Sequence, residues 1–364
     1  MVAGSVAETD ARTRFHRLRV ASVQQLCDDA VAVTFDVPDE LAETFAFRPG
    51  QSLTLRRQVD GTDERRSYSI CAPAGHAPRI GVREVPGGAL SPWLVHEVEP
   101  GDEIDVLPPQ GRFVPDLSGD PGRHVLIAAG SGITPILSIA ASLLAADERA
   151  QVTVLYGNRR TDTVMFLDEL ADLKDRYPSR FQLVHVLSRE PRDAELFSGR
   201  MDADRLAELL ATLVPVADVD HWWLCGPHGM VDDARVLLKE HGVPIERIHR
   251  ELFYVEYEPP PEVDHADPEF SGDVAEATII LDGRTTTMPL PVDMPILDAA
   301  QQVRSDLPFA CKGGVCGTCR ALLRDGEVRM RRNFALDEDE VGQGFVLTCQ
   351  SLPVSEQLTV DYDA

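Results

Sequence analysis

The chain is short of positive charge, of long apolar runs and of paired cysteines, and each shortage closes off a class of function. Lys and Arg number 35 against 60 Asp and Glu, a net charge of -25. The basic footprint that holds a phosphate backbone is therefore missing, and nucleic acid is not an expected partner. No apolar stretch approaches the length of about 20 residues that spans a bilayer. Met1 to Thr13 carries neither an apolar leader core nor an Arg/Ser-rich amphipathic pattern, so a cytoplasmic location is expected. The cysteines are seven, an odd number and scattered, which makes no disulfide framework.

Four of those cysteines nevertheless fall into a pattern. Cys311, Cys316 and Cys319 form a C-x4-C-x2-C run, and Cys349 follows the strand-like Phe345-Val346-Leu347-Thr348. That is the ligand spacing of a plant-type 2Fe-2S centre, a carrier of single electrons. Gly313 and Gly314 are expected to line it, because backbone wrapped round inorganic sulfide leaves little room for a Cβ. Structural zinc is the alternative, but zinc sites come as two short Cys or Cys/His pairs, and here one C-x2-C overlaps a C-x4-C.

Composition divides the rest. At 364 residues and 43% hydrophobic content the chain has material for two or three domains. From Tyr257 to Asp273, three consecutive prolines, Pro268 and six acidic residues leave almost nothing to bury, which predicts a linker over 257–273. Upstream, the character changes near Asp120-Pro121-Gly122. Before it, short β-branched stretches (31–35, 52–55, 68–70, 79–82) predict an antiparallel β-barrel over 14–119. After it, strands at 125–128, 152–156, 182–187 and 222–225 alternate with helices expected from Pro135, around 165–176, from Asp202 and from Met230. That pattern predicts a parallel α/β domain over 120–256. The segment 274–364 carries the cysteines. From Glu256 to Ala364 there are 21 acidic and 8 basic residues, a net of -13, and Asp337-Glu338-Asp339-Glu340 is either a solvated face or a docking patch.

Within the barrel, Arg66 and Tyr68 share one side of a strand and Ser69 points the other way. Arg66 offers a fork to a pyrophosphate, Tyr68 a stacking face to a flavin ring, and Ser69 a hydroxyl to a ring nitrogen. Gly88 and Ser91 precede a helix expected at 93–97, where free N–H groups could meet the same pyrophosphate. In the α/β domain Gly130, Gly132, Thr134 and Pro135 lie between a strand and a helix, where the phosphates of a dinucleotide would rest. Pro135 breaks the G-x-G-x-x-G fingerprint. Cys225 and Gly226 close a later strand and should face the same crevice, unless Cys225 is simply a buried small hydrophobe.

In this order, R-x-Y-S, G-x-x-S, G-S-G-I-T-P and C-G-P resemble the ferredoxin-NADP reductase family, and the appended cysteine motif resembles the reductase components of multicomponent oxygenases. The resemblance implies a multidomain protein: an antiparallel β-barrel FAD domain, an α/β parallel-sheet NAD(P) domain and an α+β β-grasp ferredoxin domain. It implies that Arg66, Tyr68 and Ser69 hold FAD with Arg83 and the 88–91 turn, and that 130–135, Cys225 and Gly226 hold the nicotinamide nucleotide. Ser69 and Cys225 become the catalytic candidates, and Phe253 resembles an aromatic that lies near the flavin. Ser188 and Arg189 resemble a pair that receives the 2′-phosphate of NADPH, with Arg159 a second candidate and NADH the alternative donor.

None of the 10 histidines needs a catalytic role in such a reductase. The resemblance implies a di-iron oxygenase as the partner, and because no di-iron Glu-x-x-His arrangement falls on the expected helices, that partner is expected to be a separate protein. The domain order and the run Ala310-Cys311-Lys312-Gly313-Gly314-Val315-Cys316 resemble reductases that serve an epoxidase acting on an aromatic acyl-CoA more than those of a ketosteroid or Rieske-type oxygenase. A non-enzymatic ferredoxin carrier is the remaining alternative. One departure stands out: Met330-Arg331-Arg332-Asn333 is basic where the family pattern leads one to expect an acidic residue after the Met.

Overall fold

The computed structural model describes residues 14–119, 121–253, 273–304 and 306–364. The expected linker lies outside these residues except for Asp273. Residues 16–64, 68–119 and 121–253 belong to one compact unit, and Arg65–Ser67 with 273–304 and 306–364 to another. Among the described residues no helix is long and apolar enough to cross a membrane.

The first sheet has six strands: β1 (His16–Cys27), β2 (Ala30–Asp36), β3 (Ser52–Val59), β4 (Thr62–Ser69), β5 (Arg79–Arg83) and β6 (Glu103–Val106), in the order β4-β3-β6-β1-β2-β5. Ile70 at the end of β4 bridges Ile80 of β5, so the two edges meet and the sheet closes as a barrel. Leu18, Val33, Phe35, Leu53 and Ile80 fill its interior. The β3–β4 hairpin turns on Asp60 and Gly61, both at positive φ (50° and 81°), which is the two-residue turn that matches strand twist. The helix expected at 93–97 begins two residues earlier, at Ser91, and ends at His96, because Pro92 fits the first turn, where no amide partner is needed.

The second sheet is wholly parallel: β7 (Arg123–Ala129), β8 (Gln151–Asn158), β9 (Phe181–Leu187), β10 (His221–Gly226) and β11 (Ile248–Leu252), in the order β11-β10-β7-β8-β9. The order reverses at β7, whose neighbours β8 and β10 lead away on opposite sides. In such sheets the crevice outside the carboxyl ends at that point takes the ligand. The helix expected from Pro135 runs Ile133–Ala146, since proline costs nothing in a first turn. The others run Leu167–Arg176, Ala203–Leu213 capped by Asp202, and His228–Glu240.

Helix Ile133–Ala146 is buried along most of its length because it packs against more than its own sheet: Ala30, Ala32 and Cys71 of the barrel share its core. Two of its three buried hydroxyls are satisfied by the same barrel. Ser138 donates to the Ala72 carbonyl at 2.6 Å, and Ser142 accepts from the Ala74 amide at 2.9 Å.

The third sheet is mixed, in the order β13-β12-β18-β14-β16, from β12 (Val274–Leu281), β13 (Arg284–Pro291), β14 (Arg320–Asp325), β16 (Phe345–Leu347) and β18 (Gln357–Asp361). β12 runs parallel to β18, and the remaining pairs are antiparallel. A two-stranded ribbon of β15 (Val328–Met330) and β17 (Ser351–Pro353) lies apart from it. Ile296, Leu297 and Ala300 of a short helix bury into this sheet's core, the β-grasp arrangement. The Asp282-Gly283 turn is clasped by Asp363, whose carboxylate accepts both amides at 2.7 and 2.8 Å.

Candidate functional site

The crevice at the carboxyl ends of β7 and β10 is built on a close approach. A Cβ added to Gly132 would stand 2.2 Å from the Cys225 carbonyl oxygen, so only glycine lets the two loops meet. Gly130–Gly132 forms one turn of 3-10 helix before the long helix begins. Thr134 is buried, and its hydroxyl donates to the Ser131 carbonyl at 3.0 Å, so it shapes the loop. Pro135 is buried in the helix's first turn. The Tyr156 hydroxyl donates to the Gly130 carbonyl at 3.0 Å from β8. Nothing in its local sequence marks Tyr156 for this, and the structure makes it the loop's anchor.

Three polar groups converge next to this crevice. Ser69, buried at the end of β4, donates to Glu251 at 2.9 Å, and Glu251 sits opposite Cys225 in the β10–β11 register. Burial pushes the Glu251 carboxyl up to about 7, against the opposing pull of the Ser69 hydroxyl. Burial also pushes the Cys225 thiol well above its ordinary range, with the Glu251 charge adding to it. Sequence reading put Ser69 and Cys225 at the site and left Glu251 without a role. The strand alignment brings the three together. Phe253 follows β11 two residues after Glu251 and is 36% exposed.

A carboxyl whose folded value lies near 7, above the ordinary 4.5, favours the folded state while protonated. Its contribution is present at acid pH and is lost as pH rises through about 7. Wild-type protein should therefore lose thermal stability relative to Glu251→Gln between about pH 5 and pH 8. Parallel curves across that range in unfolding scans would show that Glu251 titrates normally.

On β4, Arg65 and Ser69 are buried, and Arg66, Ser67 and Tyr68 between them are half-buried. Arg66 donates to the Arg65 carbonyl at 2.6 Å. Gly88 closes a turn on the Val85 carbonyl at 2.8 Å, and the Ser91 hydroxyl accepts the Val85 amide at 3.0 Å. Arg83 lies 3.3 Å from Asp29 and donates to the Thr163 carbonyl at 2.5 Å, with its guanidinium beside the Gly130 turn. A strand presenting guanidinium, phenol and hydroxyl groups fits the pyrophosphate and ring of FAD.

Beyond β8 and β9, two loops are pinned together. The Ser188 amide donates to the Asn158 carbonyl at 2.9 Å and the Arg189 amide to the Arg159 carbonyl at 2.8 Å. Glu190 accepts from the Thr161 amide and hydroxyl, both at 2.8 Å. Arg159 pairs with Asp29 at 3.0 Å, whereas Arg189 is exposed with no carboxylate partner among the described residues. Three of the histidines, His124, His221 and His249, gather round Trp223 at the amino ends of the strands, away from the crevice. Burial pushes His249 down to about 4, and the neighbouring histidines add to it.

In the C-terminal unit the four thiols stand as two pairs, Cys311 with Cys316 and Cys319 with Cys349, each in direct side-chain contact. Among the described residues no three His, Cys, Asp or Glu side chains gather round a single point. Thiols grouped as two pairs suit a centre with two irons and two thiolates on each. The Cys311 sulfur accepts the Gly313 amide at 3.3 Å and the Cys316 amide at 3.5 Å. The Cys316 contact, with these amides, holds Cys311 below the ordinary thiol range. Of the two glycines, Gly314 is the constrained one. It sits at φ 78°, and a Cβ there would lie 3.1 Å from the Arg332 carbonyl oxygen, whereas Gly313 has room.

A barrel with a flavin-type strand, a dinucleotide crevice and a paired-thiol loop together define an NAD(P)H-dependent flavin and iron–sulfur oxidoreductase. Family models agree: an oxidoreductase FAD-binding domain matches residues 17–114, an oxidoreductase NAD-binding domain 126–236 and a 2Fe-2S iron-sulfur cluster binding domain 279–354. The chain is 42% identical to a component of the 1,2-phenylacetyl-CoA epoxidase of Escherichia coli K12, covering 97% of this chain and 99% of that one. It is 34% identical to the ferredoxin reductase component of 3-ketosteroid-9-alpha-monooxygenase from Rhodococcus rhodochrous, over 95% and 96%. Phthalate dioxygenase reductase shares the fold, with a TM-score of 0.56 at 24% identity over 95% of this chain and 98% of that one. The chain belongs to the ferredoxin-NADP reductase family, in its branch of oxygenase reductase components that carry a C-terminal plant-type ferredoxin domain.

Proposed function

We propose that the chain takes reducing equivalents from NADPH and delivers them singly to a separate cytoplasmic di-iron oxygenase, the phenylacetyl-CoA epoxidase of phenylacetate breakdown. The observation that carries the client is the 42% identity over nearly both full lengths to the epoxidase component, against 34% for the Rhodococcus ketosteroid component. When bound, FAD supplies the conversion of a two-electron hydride into single electrons and the 2Fe-2S centre carries them one at a time.

The chain's own residues bind and orient. Arg66 and Tyr68 hold the flavin's pyrophosphate and ring, and the Gly130–Gly132 turn brings the nicotinamide nucleotide to the carboxyl ends of β7 and β10. Ser69 and Glu251 form a hydrogen-bonded pair beside the reacting rings, with Cys225 opposite Glu251 in the strand register, able to hold a proton at the Glu251 carboxyl near neutral pH. Nothing in this arrangement calls for a strong general base. Positioning carries the rate.

Reconstitution tests the client. The purified chain, mixed with the oxygenase subunits of the Escherichia coli epoxidase, should support NADPH-dependent oxidation of phenylacetyl-CoA. Failure there, with success for a Rieske or ketosteroid oxygenase, would make the named client wrong and leave the reductase assignment standing.

The donor is tested separately. Arg189 lacks a carboxylate partner while Arg159 is taken by Asp29, which supports Arg189 with Ser188 as the 2′-phosphate site. Losing one charge-assisted contact of about 1.5–3 kcal/mol, Arg189→Ala should raise the KM for NADPH by about ten- to hundredfold and leave that for NADH alone. Unchanged selectivity would move the assignment to Arg159 or to NADH as the donor.

A further inference from the structure

We propose that Arg329, Arg331 and Arg332 form a docking face for an acidic surface of the oxygenase component. Only the identification of the acceptor as an oxygenase rests on the function proposed above. The three residues belong to β15 and the turn after it, and that segment lies directly on the thiol cradle. The Arg331 amide donates to the carbonyl of Gln350, next to Cys349, at 2.9 Å, and the Phe334 amide donates to Gly314 in the cysteine loop at 3.1 Å. Met330 accepts the Leu347 amide on its sulfur at 3.4 Å. A protein that takes electrons from this centre has to approach it closely, because transfer falls steeply with distance. The surface beside the cradle is therefore where an acceptor sits.

Charge on that surface runs against its surroundings. Of the eight Lys and Arg between Glu256 and Ala364, four are tied down: Arg304 by Asp306, Lys312 by Asp298, Arg320 by Glu340 and Arg324 by Asp361. Three of the remaining four are Arg329, Arg331 and Arg332, all exposed and without a carboxylate partner among the described residues.

The nearby acidic run does not neutralise them. Asp337 caps its own short helix, accepting the Glu340 amide at 2.8 Å, and Glu340 is buried against Arg320 at 3.0 Å. Three like charges within four residues of chain repel one another, and a carboxylate-rich partner relieves that repulsion on contact. Such complementarity speeds encounter and fixes register.

The test is a sign test on the intact holoprotein. Wild type and Arg331→Glu/Arg332→Glu are compared for reduction of plastocyanin, an acidic acceptor, and cytochrome c, a basic one, at ionic strengths of about 0.02 and about 0.3 M. At low salt the variant should lose about tenfold or more of its plastocyanin rate and gain with cytochrome c, and both shifts should shrink at high salt. An unchanged ratio between the two acceptors overturns the proposal. Should the double reversal lower iron content, the neutral Arg329→Gln/Arg331→Gln/Arg332→Gln variant must move the same ratio in the same direction, and a ratio that stays put overturns the proposal equally.

Binding without turnover gives a second readout. The calorimetric Kd for the oxygenase subunits of the Escherichia coli epoxidase should rise about tenfold in the reversed variant at low salt, and equal affinity overturns the docking face. If those subunits fail to bind wild type at all, the client named above is wrong, and the acceptor ratio alone decides the face.

Discussion

Cys349→Ser should split the protein's two activities. The variant is expected to purify with little iron and sulfide, to keep NADPH–ferricyanide activity and to lose cytochrome c reduction. The thiol is a soft ligand suited to an iron–sulfur centre, and a serine hydroxyl is neither soft nor ionised at neutral pH. Cys349 is also firmly held. It is 4% exposed, its carbonyl accepts from Gln350 at 2.9 Å, and the same Gln350 amide reaches across to the Lys312 carbonyl at 2.8 Å. Thr348 beside it donates to the Cys319 carbonyl at 3.0 Å. The nucleotide loops and the Ser69–Glu251 pair belong to the other compact unit, which keeps its own core. Equal loss of both activities would mean that the modules do not work independently.

How much of this was legible in the sequence depends on the range of the interaction that fixes each feature. The cysteine spacing, the Gly130–Pro135 turn and the strand–helix alternation are local, and they stand where the sequence puts them. β1 was missed because its twelve residues, HRLRVASVQQLC, present only Leu18 and Val20 as buried positions, too sparse for a strand signal. β6, at four residues, is too short to show periodicity.

Side-chain partners were harder still. Glu251 meets Ser69 across 182 residues of chain, and nothing near either one announces the other. Arg83 sits in motif order beside the flavin strand, yet it is drawn to Asp29 and the Thr163 carbonyl. Arg159 is drawn to the same Asp29. Both arginines answer to a carboxylate whose position only the fold supplies.

Gly132→Ala should close the nucleotide crevice. The added methyl would stand 2.2 Å from the Cys225 carbonyl oxygen and 2.9 Å from the Gly226 amide nitrogen, both backbone atoms that cannot swing aside as a side-chain tip can. One of the two loops has to move. The Gly130–Gly132 turn is tied to β8 through the Tyr156 hydroxyl, and β10 is held between β7 and β11 by parallel ladders, so displacement costs packing on either side. Overpacking of this kind costs about 1–3 kcal/mol.

Part of that cost should appear as a lower unfolding midpoint, and part as lost nucleotide affinity, because the helix Ile133–Ala146 can no longer present its amino end at the same place. The expected result is a KM for the nicotinamide nucleotide raised by about tenfold or more, with FAD content unchanged, since the flavin strand β4 lies on the barrel. Wild-type kinetics from Gly132→Ala would show that the loops separate freely and that their close approach plays no part in holding the nucleotide. Loss of FAD together with nucleotide affinity would instead show that the crevice and the barrel strand cannot be disturbed one at a time, as the shared core around Ala30, Ala32 and Cys71 would then explain.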